Sequence, residues 1–348
     1  MQPIRANILC RGLGQVEGDP VVTAVVTDNR AAGPGSLFVC IRGARRWHDY
    51  AAKAVQAGAC AVVAQHPVQG VPSGRCVLVQ NPLDAMIRMG ANYRAGFSPV
   101  LVGVTGSVGK TTTKEFCYAV FSAFGKTLKT EGNQNNEIGM PNTLFRLDGT
   151  TRYAVVEMGM QGLGEIEKLT LAARPCGAII TCIGQSHLEQ LGTRENILKA
   201  KMEICAGLPD GAPLIVNADN DLLSHAQVPA RLRRVSFGIE ADADVRAKGI
   251  SPGQMEQILQ FWINSAENLP RISPPWACTM CTTPFRHGRW QCRWGWMQEK
   301  RLRRLPITKL PATGRTLCSS AALRCWKTAT MPARTACAPR CTRCRPTR

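Results

Sequence analysis

No stretch of this 348-residue chain approaches the roughly 18 consecutive apolar residues a membrane-spanning helix needs, and no apolar leader core opens it. A helical membrane protein is therefore not expected. Nor is an exported disulfide scaffold, in spite of 16 cysteines, so the protein is read as cytoplasmic and without membrane insertion. Aspartate is missing altogether from residues 251–348, which hold 17 Lys+Arg against 3 Glu. Residues 1–250, by contrast, hold 26 Lys+Arg against 21 Asp+Glu, so most of the formal charge of +19 belongs to the tail. Six of the seven tryptophans, eight cysteines and 10 of 22 prolines also fall there. Two different compositions are joined near residue 250. In the first part the cysteines (Cys40, Cys60, Cys117 and Cys182 among them) lie in strand and helix patterns as small hydrophobes, with no metal-ligand spacing.

What is present begins with Val104 to Lys114, Val-Thr-Gly-Ser-Val-Gly-Lys-Thr-Thr-Thr-Lys, placed directly after the apolar run Val100-Leu101-Val102. A buried strand feeding a glycine-bearing turn and then a helix is a phosphate cradle. Backbone N–H groups from Gly106 to Lys110 can wrap an anion, Lys110 can reach the β/γ-phosphates, and the Thr111 hydroxyl is placed for Mg²⁺. A nucleoside triphosphate such as ATP is the implied ligand. A tight strand-to-helix turn without ligand is the bland alternative, and Gly-Lys-Thr at a strand end argues against it.

Residues 20–80 alternate β-branched runs with Ala-rich helical text, which predicts a small α/β domain over 1–81. Strands are expected at Val22 to Val26, Ser36 to Ile41, Ala61 to Ala64 and Cys76 to Val79, with a helix from Tyr50 to Ala57. A connecting helix opens at Pro82-Leu83-Asp84 and fills a linker over 82–97. From 98 to 250 the text repeats strand then helix, with strands at 100–104, 153–158, 177–183 and 213–217, the signature of a parallel doubly wound sheet. Ligands of such sheets bind at the carboxyl ends of the strands. The phosphate loop, Glu157, His187 and Asn217 all lie at or just beyond such ends, and are expected to converge.

Four segments carry a family resemblance. They are Gly103 to Lys114, Thr130-Glu131-Gly132-Asn133-Gln134-Asn135-Asn136-Glu137-Ile138-Gly139, Glu157-Met158-Gly159, and Ala200-Lys201-Met202-Glu203-Ile204. Over about residues 20–250 the sequence resembles the Mur ligases, and among them the branch that adds D-alanyl-D-alanine to UDP-N-acetylmuramoyl-tripeptide. The resemblance implies an ATP-dependent acid–D-amino-acid ligase of peptidoglycan synthesis, cytoplasmic and monomeric, that needs Mg²⁺ and binds no nucleic acid. It implies that Thr105, Gly106, Ser107, Val108, Gly109, Lys110, Thr111 and Thr112 hold ATP, with Asn217 on its adenine side. Thr111 and Glu157 would hold one Mg²⁺, and His187 with a carbamylated Lys201 a second. Carbamylation needs a neutral amine, and so a lysine whose pKa its surroundings lower. Lys110, His187 and Lys201 are then the catalytic set. Asn133, Asn135 and Asn136 would meet the sugar and diphosphate of the substrate, and Thr27, Asp28 and Arg30 its UDP end. Four residue-level alternatives stand beside these roles: a surface acid on a loop for Glu157, a cap for His187, a solvated helix lysine for Lys201, and an Asn-rich turn for the amide cluster. Gly43-Ala44-Arg45-Arg46-Trp47-His48-Asp49 departs from the family wording, so a locally distorted uridine pocket is expected.

The tail breaks the resemblance. A chain of this kind should continue with a Gly-x-His-Asn motif and a third α/β domain carrying Asp-x-Tyr-Asn-Ala. Residues 271–348 instead show no sustained period of 2 or 3.6 and are expected to be largely disordered. Read from the third base of its first codon, Cys325 to Cys337 permits Leu-Glu-Asp-Cys-Tyr-Asn-Ala-Ser-Pro-Asp-Ser-Met, and Pro275 to Phe285 permits Leu-Gly-Met-His-Asn-Val-His-Asn-Ala-Leu. Both missing motifs recur in one shifted frame, which points to a frameshift around 251–271 and to an impaired, poorly soluble product. Two other readings remain: a ligase of the folylpolyglutamate synthase type, and a basic nucleic-acid- or zinc-binding tail built on Cys337, Cys341 and Cys344.

Overall fold

The computed structural model describes residues 1–41, 47–248 and 260–263. The Gly43-to-Arg46 departure, the expected disorder beyond 263 and the zinc or nucleic-acid reading of the tail lie outside the described residues. Four parallel strands, β1 (Ala24–Val26), β2 (Ser36–Val39), β3 (Ala61–Ala64) and β4 (Cys76–Leu78), form the first sheet in that order. Every residue of β2 and β3 is buried, which is why, Ser36 apart, their text is apolar rather than alternating. Helix α1 (Trp47–Gln56) covers one face by burying Ala51 and Ala54 against Phe38 and Val62.

Helix α2 (Pro82–Arg94) starts where the Asn81 side chain accepts a hydrogen bond from Leu83 N at 2.9 Å, with proline in the first turn. It buries Met86, Met89 and Tyr93. The Tyr93 hydroxyl accepts from Gln2 N and donates to Leu147 O, both at 2.8 Å, so one side chain ties the amino terminus to the second sheet's layer.

That second sheet comprises β5 (Val100–Thr105), β6 (Thr127–Lys129), β7 (Tyr153–Glu157), β8 (Gly177–Ile180), β9 (Pro213–Asn217), β10 (Arg233–Gly238), β11 (Val245–Lys248) and β12 (Gln260–Ile263). Their order is β12-β11-β10-β9-β8-β5-β7-β6, parallel except for the antiparallel β12. Helices α3 (Lys110–Ser122), α4 (Gly139–Leu144), α5 (Glu165–Ala173) and α6 (Arg194–Met202) make the crossovers. The chain passes from β5 to one side of the sheet and returns to build the other, so β5 stands at the switch point where ligands of such sheets bind. Register aligns the strand ends: Val104 faces Glu157, Thr105 faces Ile180, and Ile180 faces Val216.

The α/β class with a parallel-sheet central domain therefore holds, with particular differences. Strands β6, β10 and β11 are additional to the sequence reading, and β12 carries the sheet past residue 250. The strand expected over 177–183 stops at Ile180 because its continuation turns onto the phosphate loop: Thr181 N donates to Thr105 O at 3.0 Å, and Cys182 O accepts from Ser107 N at 2.8 Å. The helix expected over 193–206 tightens after Met202 into a 3₁₀ turn, Glu203–Gly207. One continuous core runs from Leu37, Val63 and Val77 through Met86 and Met89 to Leu101, Met140 and Val156.

Candidate active site

The loop between β5 and α3 is shaped by two glycines. Gly106 has φ +145° and a Cβ there would lie 1.9 Å from Thr181 Oγ1; Gly109 has φ +84° at the start of α3. The Thr181 hydroxyl bonds Val108 O at 2.5 Å, and Ser107 Oγ accepts from Gly184 N at 2.9 Å, so the loop is stitched to the segment after β8. Lys110 Nζ donates to Gly106 O at 2.8 Å and Ser107 O at 3.2 Å. Burial lowers its pKa, opposed by the charge of Glu157. Val108, Gly109, Thr111 and Thr112 face solvent around this cradle, whereas Thr105 and Ser107 are buried beneath it. Backbone amides at a helix start, an ammonium and exposed hydroxyls form a receptor for a polyphosphate.

Glu157 ends β7 only 2% exposed. Thr130 Oγ1 accepts from its backbone N–H at 3.0 Å, Asn135 Nδ2 donates to its Oε1 at 2.8 Å, and Thr111 donates to its Oε2 at 3.1 Å. A hydroxyl and a carboxylate, both hard oxygen donors and already in contact at the loop, suit a magnesium ion that bridges phosphates. A third neighbour is absent from the sequence reading: Lys114, 1% exposed, places Nζ 3.5 Å from Glu157 Oε2.

His187 and Lys201 approach from the other side. His187 takes the left-handed conformation, φ +67°, and starts the four-residue helical turn Leu188–Leu191. Its pKa is lowered by burial first, then by the nearby charges of Lys201 and Lys110. Lys201 is 1% exposed on the inner face of α6, and burial, reinforced by Lys110, brings its pKa from 10.5 down to about 7. No hydrogen bond or ion pair among the described residues engages its ammonium. The solvated-lysine alternative is thereby removed. The charge of Lys110 bears on both His187 and Lys201, and that of Glu157 on Lys110, so these groups share one electrostatic neighbourhood. No group of three or more His, Cys, Asp or Glu gathers among the described residues.

The remaining expected residues divide. Asn217, 4% exposed, donates to Thr181 O at 3.1 Å and accepts from Asp219 N at 2.9 Å, which shapes the turn after β9. Asn136 Oδ1 accepts from Ile138 N and Gly139 N at 3.2 and 2.9 Å and so caps α4, while Asn133 is exposed. Of the amide cluster, Asn135 is the member at the carboxylate. Thr27 is exposed after β1, and Asp28 caps a short 3₁₀ turn while pairing with Arg30 at 2.5 Å. That pairing holds the Asp28 carboxyl down to about 2. Beyond Lys114, sequence reasoning passed over Thr181, which locks the loop, and Asn220 with Arg194, which both bind Ile183 and so hold the segment leading to His187.

Residues 104–272 match the Mur ligase middle domain. Among curated relatives, the UDP-N-acetylmuramoyl-tripeptide–D-alanyl-D-alanine ligase of Synechocystis sp. is 41% identical over 224 residues, 63% of this chain and 49% of that protein. Among solved structures, MurF from Acinetobacter baumannii is similar with a TM-score of 0.67 and 29% identity, over 75% of this chain and 58% of that one. The MurF ligase from Thermotoga maritima in complex with ADP gives a TM-score of 0.61 and 31% identity, over 71% and 55% of the two chains. The chain thus spans about half the length of the curated relatives it matches.

Proposed function

We propose that the protein is an ATP-dependent amide ligase of the MurF kind, joining D-alanyl-D-alanine to UDP-N-acetylmuramoyl-tripeptide. The observation that carries this reading is the contact of Thr111 with the buried Glu157 beside the phosphate loop, and the burial of Lys201 under the charge of Lys110 supports it. The similarity to MurF relatives supports the substrates, and the ADP-bound relative supports the nucleotide. Residues 1–81 are read as the UDP-substrate domain, 82–97 as linker and 98–250 as the ATP-binding domain.

The substrate carboxylate would attack the γ-phosphorus of ATP to give an acyl phosphate and ADP. The amine of D-alanyl-D-alanine would then displace inorganic phosphate and form the amide. Lys110 and the loop amides, Thr105 to Thr112, offset charge on the transferring phosphoryl group, and the rigid stitching by Thr181 and Ser107 keeps them aimed. Magnesium held by Thr111 and Glu157 would supply charge neutralisation between β- and γ-phosphates. Lys201, whose pKa burial brings down to about 7, would be suited to take up CO₂ as a carbamate and with His187 to hold a second ion near the substrate carboxylate. Asn133, Asn135, Thr27, Asp28 and Arg30 remain the proposed contacts of the UDP-sugar, and Asn217 that of the adenine side.

The same reading calls for third-domain motifs that are not found in residues 271–348 as written and that the shifted frame permits. The chain as written is therefore expected to be inactive and its frame-restored counterpart active. Phosphate release measured with ATP, D-alanyl-D-alanine and the UDP-linked tripeptide tests this, with folate and glutamate as the alternative acceptor pair. Turnover only with folate and glutamate would overturn the MurF reading. An intact reading frame in genomic DNA across residues 245–280 would overturn the frameshift.

A further inference from the structure

Lys110 and Lys114 stand one turn apart on α3 and do different work. Lys110 points into the phosphate loop. Lys114 points inward, 1% exposed, and sits between two carboxylates, 3.5 Å from Glu157 Oε2 and 3.6 Å from Glu115 Oε1. Glu115 is paired in turn with Lys129, whose Nζ lies 4.4 Å over the Tyr118 ring. Charges along this row alternate: Lys129, Glu115, Lys114, Glu157. Only its Glu157 end touches the phosphate loop, through Thr111.

We propose that Lys114 is a positioning residue, a resident counter-cation that holds Glu157 for a metal arriving with the triphosphate and keeps the carboxylate from capturing a free divalent ion beforehand. The inference rests on the nucleotide-binding part of the ligase reading. At 3.5 Å the ammonium attracts Glu157 without making a hydrogen bond to it, and the Oε1 and Oε2 bonds go to Asn135 and Thr111. A bare dication beside Glu157 would meet one carboxylate and the repulsion of both Lys114 and Lys110. A dication that brings a triphosphate carries its own compensating charge into the same space. Glu115, held by Lys129, keeps Lys114 from swinging away.

Mn²⁺ titration of the full-length chain, followed by the loss of the free-ion paramagnetic resonance signal, tests this with and without a non-hydrolysable ATP analogue. The wild type is expected to take up Mn²⁺ at least tenfold more tightly with the analogue than without it. Lys114→Met is expected to raise affinity for bare Mn²⁺ at least tenfold, Lys114→Arg to return it to the wild-type value, and Lys114→Met with Glu157→Gln to abolish the gain. Equal uptake by the wild type with and without analogue overturns the proposal, and so does a Lys114→Met protein indistinguishable from the wild type. Should Lys114→Met lose its far-ultraviolet dichroism, the wild-type comparison still decides. The titration needs no acceptor, so a failed ligase assay leaves it readable, and a chain that binds no analogue at all identifies failure of the nucleotide reading instead.

Discussion

Lys201 enters the fold at a cost that depends on pH. Its folded pKa of about 7 lies below the unfolded value of 10.5, so between these values the unfolded chain holds a proton the folded one does not. Stability contributed by this site therefore rises as pH increases from about 7 to 10.5, and the full penalty applies below 7. Lys201→Met should stabilise the fold at pH 6 to 7 in CO₂-free buffer, by up to a few kcal/mol and with a higher thermal midpoint, the gain shrinking toward pH 10. Differential scanning calorimetry across that range checks it; a gain independent of pH would show that apolar packing alone is responsible. In bicarbonate buffer the wild type should recover part of the difference, because the carbamate replaces a poorly housed cation. Lys201 and Glu157 were legible in the sequence because each stands in a distinctive motif. Lys114 was not, since Lys-Thr-Thr-Thr-Lys-Glu reads as a solvated helix start and only the fold shows that its fifth residue turns inward. Asn136 illustrates the converse, because one residue type serves equally as a cap and as a ligand donor.

Among elements, the β5–α3 connection tolerates least. Gly106→Ala should lower affinity for an ATP analogue more than tenfold, since its methyl group would have to displace the Thr181 hydroxyl that locks the loop. Calorimetric titration measures this, and Thr181→Ala should soften the loop by a smaller factor. Tyr93→Phe leaves Gln2 N and Leu147 O without their shared partner and should cost about 1–3 kcal/mol in urea unfolding. The long strands of both sheets were readable because burial on two faces demands unbroken apolar text. Strand β6 was not, since Thr127-Leu128-Lys129 offers a single buried apolar residue, and β10 was hidden by Arg233 and Arg234 at its start. The Ala200-to-Ile204 motif holds a further lesson. Glu203 accepts from Gly164 N at 2.7 Å at the start of α5, so part of that motif serves helix capping while Lys201 serves the site.

For the whole molecule, the separation at about residue 250 remains the decisive property of the sequence. Restoring the shifted frame should give acceptor-dependent phosphate release, whereas the chain as written should give none. Zinc content and salt-dependent oligonucleotide binding of the written chain check the rival view of its tail. The continuous apolar interior that links Leu37 and Val77 to Leu101 and Val156 has a mechanical consequence. The small sheet and the larger sheet share their interior through α2, so neither is expected to melt while the other stays native. Heating should give one sigmoid by tryptic cleavage at either end of this region, and any bending that admits large substrates has to pivot elsewhere along the chain.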